Sequence, residues 1–180
     1  MQVNKLDCYE SLLDFIYDEL VDHLLNKYGC VRDNYFNRVS YEQKLKSKVN
    51  IKQISKGNFT RSSEGLYCHH IDEKKEVSLS YPPTLWEKQL PYEYQEKERL
   101  VYCDAVEHVI LHALISKEYV YSPGYNSLRC KVSHWYIEGL PLKEGDSDFW
   151  EFHCYEQSFL KSDEAISLLN FIEKKRLIKK

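Results

Sequence analysis

A chain of 180 residues with 43% hydrophobic and 14% aromatic residues is long and apolar enough to form one domain around its own core. Its formal net charge of -3 argues against a protein that binds nucleic acid with its whole surface, so any phosphate contact requires a local basic patch. Six scattered cysteines without a CxxC pair argue against a disulfide framework and against a four-cysteine zinc module.

The sequence shows no targeting or membrane-spanning segment. The opening residues MQVNKLDCYESLLDFIYDEL lack the basic start and the unbroken apolar run of a signal peptide. No run of about 18 apolar residues that could cross a bilayer follows. We therefore expect an intracellular, cytoplasmic protein without membrane contacts and with reduced thiols.

The first predicted element is an amphipathic helix over residues 7–28, because apolar residues recur at helical spacing between Leu12 and Leu24. The stretch SYEQKLKSK then predicts a short helix capped by Ser40. A basic segment containing serine and glycine follows, which we interpret as an arm or loop that approaches the functional site. Its basic residues, which are candidates for DNA-backbone contacts, are Lys44, Lys46, Lys48, Lys52, Lys56 and Arg61.

The middle of the chain predicts the order strand, loop, strand, helix. GLYCHHI suits a short strand that ends in two histidines, and the proline-containing stretch YPPTLWEKQLPYEYQEKE predicts a long structured loop. RLVYC predicts a second strand. DAVEHVILHALI predicts a helix with Asp104 as its N-cap, from which Glu107 points to solvent.

The last third of the chain has β-type patterning in EYVYS, LRCKVSHWYI and FWEFHCYE, separated by turns that contain glycine and proline. A closing helix is predicted from about Ser162 to Ile178. We therefore expect residues 117–180 to form a β-rich extension that ends in a helix.

Four histidines form the main chemical signal. His108 and His112 are four residues apart on a predicted helix, so that both imidazoles lie on one face at the spacing that binds one metal ion. Such a pair also occurs at the margin of ordinary core helices. His69 and His70 at a strand end strengthen the metal interpretation, because neighbouring strand residues point to opposite faces and need two different roles.

YCHHI followed by RLVYCDAVEHVILH resembles the core motif of the HNH, or ββα-metal (His-Me finger), endonucleases, over residues 64–116. The resemblance implies that His69, His108 and His112 bind one divalent metal ion, with Mg²⁺, Mn²⁺, Ni²⁺ and Zn²⁺ as candidates. It implies that His70 is the general base that activates water. The family's middle Asn, which braces the loop beside the base, is replaced here by Arg99, which cannot make the same contacts.

Neighbouring residues leave alternatives open. Glu73 is either a partner that orients a metal-binding imidazole or a surface acid after the strand, and for Asp72 we favour the surface position. Cys68 and Cys103 could join two histidines in a structural Cys2His2 zinc site, although their spacing does not match a zinc finger.

Together these features predict an α+β fold with a ββα-metal nuclease-like core, an N-terminal helical arm and a C-terminal β-rich segment ending in a helix. Residues 1–63 would form the arm, residues 64–116 the core and residues 117–180 the extension, packed as one unit. The expected function is metal-dependent hydrolysis of DNA phosphodiester bonds, and a homo-oligomer is compatible with the sequence. The alternatives are a catalytically degenerate DNA-binding or regulatory protein of this fold, and an interaction module whose histidines are structural.

Overall fold

The computed structural model describes residues 4–46, 54–119, 122–139 and 149–177. These ranges contain eight α-helices and one two-stranded antiparallel sheet, so the α+β prediction holds only loosely for a mostly helical chain. The helices are α1 (Lys5–Leu12), α2 (Tyr17–Tyr28), α3 (Arg38–Lys46), α4 (Pro82–Glu87), α5 (Ala105–Glu118), α6 (Pro123–Tyr136), α7 (Phe149–Gln157) and α8 (Ser162–Leu177). The strands are β1 (Tyr67–His70) and β2 (Leu100–Cys103).

Helix α5 lies at the centre of the main core. Helices α1, α2, α6 and α8 pack around it, and Val109, Ile110 and Leu111 are fully buried on successive faces. This enclosure explains why α5 is apolar almost all round. Within the described ranges, no helix combines the length and the apolar composition needed to cross a bilayer.

The predicted single helix over residues 7–28 is wrong, because the structure divides it into α1 and α2. Ile16 has an extended backbone, and its N–H donates to the Glu19 carboxylate, which starts α2 afresh. The next N–H, of Tyr17, donates to Glu118 at the end of α5. The break therefore places the fully buried Tyr17 side chain at the beginning of α2.

The predicted short helix after residue 37 is present as α3, but its start differs from the prediction. Asn37 accepts a hydrogen bond from the N–H of Ser40, so that Ser40 lies in the first turn and does not precede it. The Ser40 hydroxyl instead accepts from the N–H of Ser55. Of the predicted basic contacts, Lys48 and Lys52 lie outside the described residues.

The order strand, loop, strand, helix is present. Strands β1 and β2 pair antiparallel, with His69 opposite Val101 and His70 opposite Leu100, and α5 follows β2 directly. The loop between the strands is ordered by α4 and by 3₁₀ turns at Ile71–Lys74, Tyr92–Gln95 and Lys97–Arg99. It also contributes to a small core of its own with α3.

The predicted C-terminal β-rich segment is wrong: the described parts of that region form α6 and α7. Tyr125, Val132, Trp135 and Tyr136 are buried along α6, and a turn opened by Pro123 starts the helix. Aromatic and β-branched residues favour strands mainly because they pack well on half-buried surfaces, and a helix face provides the same packing. The predicted closing helix is confirmed as α8, with Ile178 outside the described residues.

The N-terminus of α5 is held by a buried pair of carboxylates. Asp104 accepts from two backbone N–H groups of the first turn and from the Tyr9 hydroxyl. Glu107 accepts from the Asp104 N–H, from Lys27 and from the Tyr28 hydroxyl. The predicted N-cap is confirmed, whereas the predicted solvent exposure of Glu107 is wrong. Burial and the neighbouring Glu107 raise the pKa of Asp104 above its usual value.

We expect Asp104→Ala to destabilise the protein by about 2–4 kcal/mol in urea unfolding, because it removes two cap bonds and leaves the Tyr9 hydroxyl without an acceptor. Asn4→Ala is the matched control: Asn4 caps α1 through one exposed bond, and its loss should cost about 1 kcal/mol or less. A cost for Asp104→Ala no larger than that of the control would contradict this assignment.

Candidate metal centre

Three imidazoles meet in a cleft between β1 and α5. His69 Nδ1 lies 3.2 Å from His108 Nε2, which in turn lies 3.2 Å from His112 Nε2. The potential ligand atoms of the three residues all lie within 4.8 Å of one another. The structure therefore brings together the three histidines that the sequence predicted as metal ligands.

The spacing of these nitrogens fits one shared ion. Two imidazole nitrogens bound to a tetrahedral ion at about 2.0–2.1 Å lie about 3.3 Å apart, close to the observed separation. Imidazole suits first-row transition ions such as Zn²⁺ and Ni²⁺, whereas Mg²⁺ prefers oxygen ligands. The group of His69, His108 and His112 could hold a divalent transition-metal ion.

The hydrogen bonds of Tyr17 assign the tautomer of His69. The Tyr17 hydroxyl donates to the Ile71 carbonyl at 2.8 Å, and its oxygen lies 3.0 Å from His69 Nε2. A carbonyl can only accept and the hydroxyl has one proton, so His69 Nε2 carries the hydrogen. Its Nδ1 then presents a lone pair to the other two rings, which is the form that binds a metal.

His112 is positioned by the residues that lead into α6. Its Nδ1 contacts the Ser122 hydroxyl at 2.5 Å, which leaves Nε2 facing the centre of the cluster. Gly124 packs against the ring so closely that an added Cβ would lie 2.4 Å from Cε1 of His112. His108 Nδ1 is buried without a hydrogen-bond partner among the described residues.

Burial keeps the three rings neutral. It lowers the pKa of His69 and His108 well below the usual value, and the neighbouring His112 ring also opposes a charge on both. Burial lowers the pKa of His112 to about 4. All three are therefore uncharged near neutral pH, as metal ligation requires.

His70, the last residue of β1, is buried, and Gln95 fixes its tautomer. The Gln95 amide nitrogen donates to the Leu79 carbonyl, so its oxygen is the atom 3.1 Å from His70 Nε2. His70 Nε2 therefore carries the hydrogen, and Nδ1 keeps the lone pair. The Tyr35 ring lies 4.5 Å from the His70 ring. Burial lowers the pKa of His70 to about 4, against a raising effect of the Gln95 bond.

The cleft is a cavity of about 300 Å³ whose walls include all four histidines and Glu73. A second cavity of about 410 Å³ is a groove lined by Phe59, Trp150 and Lys56. Tyr35, Tyr67 and Cys68 line both cavities. The groove therefore lies next to the cleft, and both volumes lie in the range of ligand-binding pockets.

The acids after β1 are both buried. Asp72 pairs with Lys75 at 2.8 Å and with Arg99 at 3.3 Å, so its predicted surface position is wrong. Arg99 thus connects the end of the loop to the turn after His70 through an ion pair. Glu73 accepts from the Leu79 N–H, and its other carboxylate oxygen lies 3.6 Å from His112 Nε2.

The described basic residues differ in their surroundings. Lys44 and Lys46 lie in the last turn of α3. Lys56 is exposed and lines the groove, 5.9 Å above the Tyr35 ring. Arg61 is engaged within the protein, where it donates to Glu64 and to the Tyr28 carbonyl. Among the described candidates for DNA contacts, Lys56 is the one that lines the groove beside the histidine cleft.

The structural-zinc alternative is not supported by the placement of the cysteines. In the part of the chain that the structure describes, His69, His108 and His112 are the one group of three or more ligand-type residues close enough to share an ion. Burial raises the pKa of Cys68 to about 12 and that of Cys103 well above its usual value, so both thiols stay protonated.

Sequence reasoning missed the residues that orient the histidines: Tyr17, Gln95, Ser122 and Gly124. They lie in other elements and carry no spacing signal that connects them to the histidine pair. A detectable cue exists only for the last two, because the SPG sequence predicts a helix start with proline in the first turn. Recognition of this helix start would have predicted a helix in place of the strand that the residue pattern after Gly124 indicated.

We expect a divalent transition ion to raise the unfolding temperature of the protein at one equivalent per chain, with stabilisation of about 2.7 kcal/mol at a free concentration one hundred times Kd. His108→Ala should abolish the effect because two neutral imidazoles bind far more weakly than three. His23→Ala, an exposed histidine on α2, is the control and should behave like the wild type. Equal stabilisation of both variants, measured by calorimetry, would contradict the metal centre.

Comparisons with known proteins do not assign this chain to a family. A scan against protein-family models, a search of curated proteins and a search of solved structures each found no match. The chemistry of the centre therefore follows from its own donor atoms, tautomers and burial.

Proposed function

We propose that this protein is a metal-dependent endonuclease of the HNH type that hydrolyses DNA phosphodiester bonds. The observation that carries the proposal is that His70, with a lone pair fixed on Nδ1, lines the same cleft as three neutral imidazoles suited to one metal ion. A base and a Lewis acid within one cavity are the two parts that phosphodiester hydrolysis needs.

The arrangement of elements supports the proposal. β1 ends in His69 and His70, β2 pairs with it, and α5 follows with His108 and His112 one turn apart. This is the order of elements that the resemblance to HNH endonucleases implies. The histidines occupy the positions in these elements that the resemblance assigns to the base and to the metal ligands.

In the proposed reaction, His70 Nδ1 accepts a proton from the water that attacks the phosphorus atom. One phosphorus–oxygen bond forms with that water while the bond to the leaving sugar oxygen breaks. The leaving oxygen takes up a proton from solvent water, and His70 returns its own proton to solvent. Gln95 keeps the hydrogen on Nε2 and so keeps Nδ1 available throughout. A divalent ion held by the three imidazoles would stabilise the charge that develops on the phosphate and on the leaving oxygen.

The low pKa of His70 favours the neutral form, which is the form that can accept a proton. A phosphate anion in the cleft raises the pKa of a neighbouring imidazole, because negative charge stabilises the imidazolium. Substrate binding therefore makes His70 a stronger base than it is in the free protein.

The groove offers a path for the polynucleotide on one side of the scissile phosphate. Lys56 at its rim supplies a positive charge for the backbone, and aromatic walls suit stacked bases. Lys44 and Lys46 lie nearby in sequence on α3, and the expected contacts of Lys48 and Lys52 remain predictions. Because the net charge is -3, affinity should depend on these few cations and fall steeply with salt.

A second candidate is a DNA-binding or regulatory protein that has lost cleavage. The observation that favours it is Arg99, which occupies the family's bracing position and pairs with Asp72. In such a protein the metal centre would serve stability and His70 would have no chemical role. The two candidates differ in whether divalent ions produce nicked DNA.

The experiment that separates them is cleavage of supercoiled plasmid with Mg²⁺, Mn²⁺, Ni²⁺ or Zn²⁺, by the wild type and by His70→Ala. We expect the wild type to nick the plasmid and the variant to lose at least about 100-fold in rate, with metal stabilisation unchanged. Absence of cleavage with every ion, from a protein that still binds metal and DNA, would favour the second candidate.

We expect Gln95→Met to lower the cleavage rate about 10- to 100-fold without changing metal stabilisation, because His70 loses the acceptor that fixes its tautomer. Gln43→Met on the exposed face of α3 is the matched control, and its rate should equal that of the wild type. An unchanged rate for Gln95→Met would mean that this hydrogen bond does not position the base.

A further inference from the structure

Glu73 is a buried carboxylate in the wall of the histidine cleft whose charge has no evident partner. Its side chain follows β1 in the 3₁₀ turn Ile71–Lys74. One oxygen accepts from the Leu79 N–H at 3.3 Å, and the other lies 3.6 Å from His112 Nε2. Among the described residues, His112 is the one basic group within 4.0 Å of the carboxylate.

That neighbour is itself buried, and its Nε2 faces the other two imidazoles. Among the described residues, no lysine or arginine lies within 4.0 Å of the Glu73 carboxylate, although the carboxylate is buried. The carboxylate therefore lacks a compensating cation within the protein. A cation placed between Glu73 and the imidazoles would remove this imbalance.

The geometry does not fit a carboxylate that merely orients a metal-binding imidazole. Such an acid accepts a hydrogen bond from the ring nitrogen that faces away from the metal. On His112 that nitrogen is Nδ1, and it already contacts Ser122. The Glu73 oxygen lies instead beside Nε2, the nitrogen that faces the other two histidines.

A purely structural role also leaves the charge unexplained. The bond from the Leu79 N–H fixes the loop after β1, but it uses one oxygen and requires no negative charge. The amide oxygen of a glutamine would accept the same bond at lower desolvation cost. Some other contact must therefore account for an acid at this position.

We propose that Glu73 is the fourth protein ligand of the metal ion, so that the centre consists of three histidines and one glutamate. Two ligand atoms on one ion with bonds of about 2.1 Å lie roughly 3–4 Å apart, which includes the observed 3.6 Å between Glu73 and His112. The ligand atoms within 4.8 Å of one another belong to the three histidines alone, so coordination by Glu73 requires its side chain to rotate toward the ion.

The donor set defines the class of ion. Three imidazoles and one carboxylate suit a first-row transition ion such as Mn²⁺, Ni²⁺ or Zn²⁺ better than Mg²⁺. The carboxylate cancels part of the ionic charge inside the cleft. This inference concerns the metal centre alone and holds whether or not the ion serves DNA hydrolysis.

The test compares the wild type with Glu73→Gln, which preserves the volume and the acceptor for Leu79 but removes the charge. We expect the metal-free variant to unfold at the same or a higher temperature than the wild type. Its affinity for Zn²⁺ and Mn²⁺, measured by chelator competition, should fall at least tenfold. The control is Glu76→Gln, which removes a charge paired with Lys88 outside the cleft and should bind both ions like the wild type.

Co²⁺-loaded protein provides a second measurement that does not depend on DNA cleavage. Loss of an oxygen ligand in Glu73→Gln should change the visible ligand-field spectrum relative to the wild type. Unchanged affinity with an unchanged spectrum would overturn the proposal. So would a lower affinity that accompanies a lower metal-free unfolding temperature and an unchanged spectrum, because the loss would then come from the loop.

Discussion

Three neutral imidazoles in van der Waals contact, each with a nitrogen directed at the others, are the constraint on which the site depends. His108 Nε2 lies 3.2 Å from His69 Nδ1 and 3.2 Å from His112 Nε2. At least one lone pair, that of His69, points into the cluster by virtue of the Tyr17 contact. Burial lowers the pKa of His69 and His108, so these rings do not become protonated near neutral pH. A cation bound between the rings would attract the nitrogen lone pairs that face it.

Much of the fold serves to hold that arrangement. The helix break before α2 brings in Tyr17, the turn before α6 brings in Ser122, and a glycine leaves room for the His112 ring. The buried carboxylates at Asp104 and Glu107 fix the start of α5, which carries two of the three histidines. The loop between the strands supplies the acceptor for His70. Residues from five separate segments therefore converge on one cleft.

Patterns along the chain predicted the parts of the site that depend on local periodicity. The spacing of His108 and His112, the Asp104 cap and the paired strands follow from helix and strand geometry. The aromatic C-terminal part was predicted as strands because its residue types prefer half-buried surfaces, a preference that the buried face of α6 satisfies equally well. Gln95 was not predictable, because only the three-dimensional course of the loop brings it to His70.

The measurement that tests the central claim most directly is anomalous diffraction from crystals grown with Zn²⁺ or Mn²⁺ at one equivalent. The account predicts one anomalous peak about 2.0–2.2 Å from His69 Nδ1, His108 Nε2 and His112 Nε2. It also predicts that the Tyr17 and Ser122 contacts persist on the outer nitrogens of His69 and His112. Absence of a peak at this position, or binding through His69 Nε2 with loss of the Tyr17 contact, would contradict it.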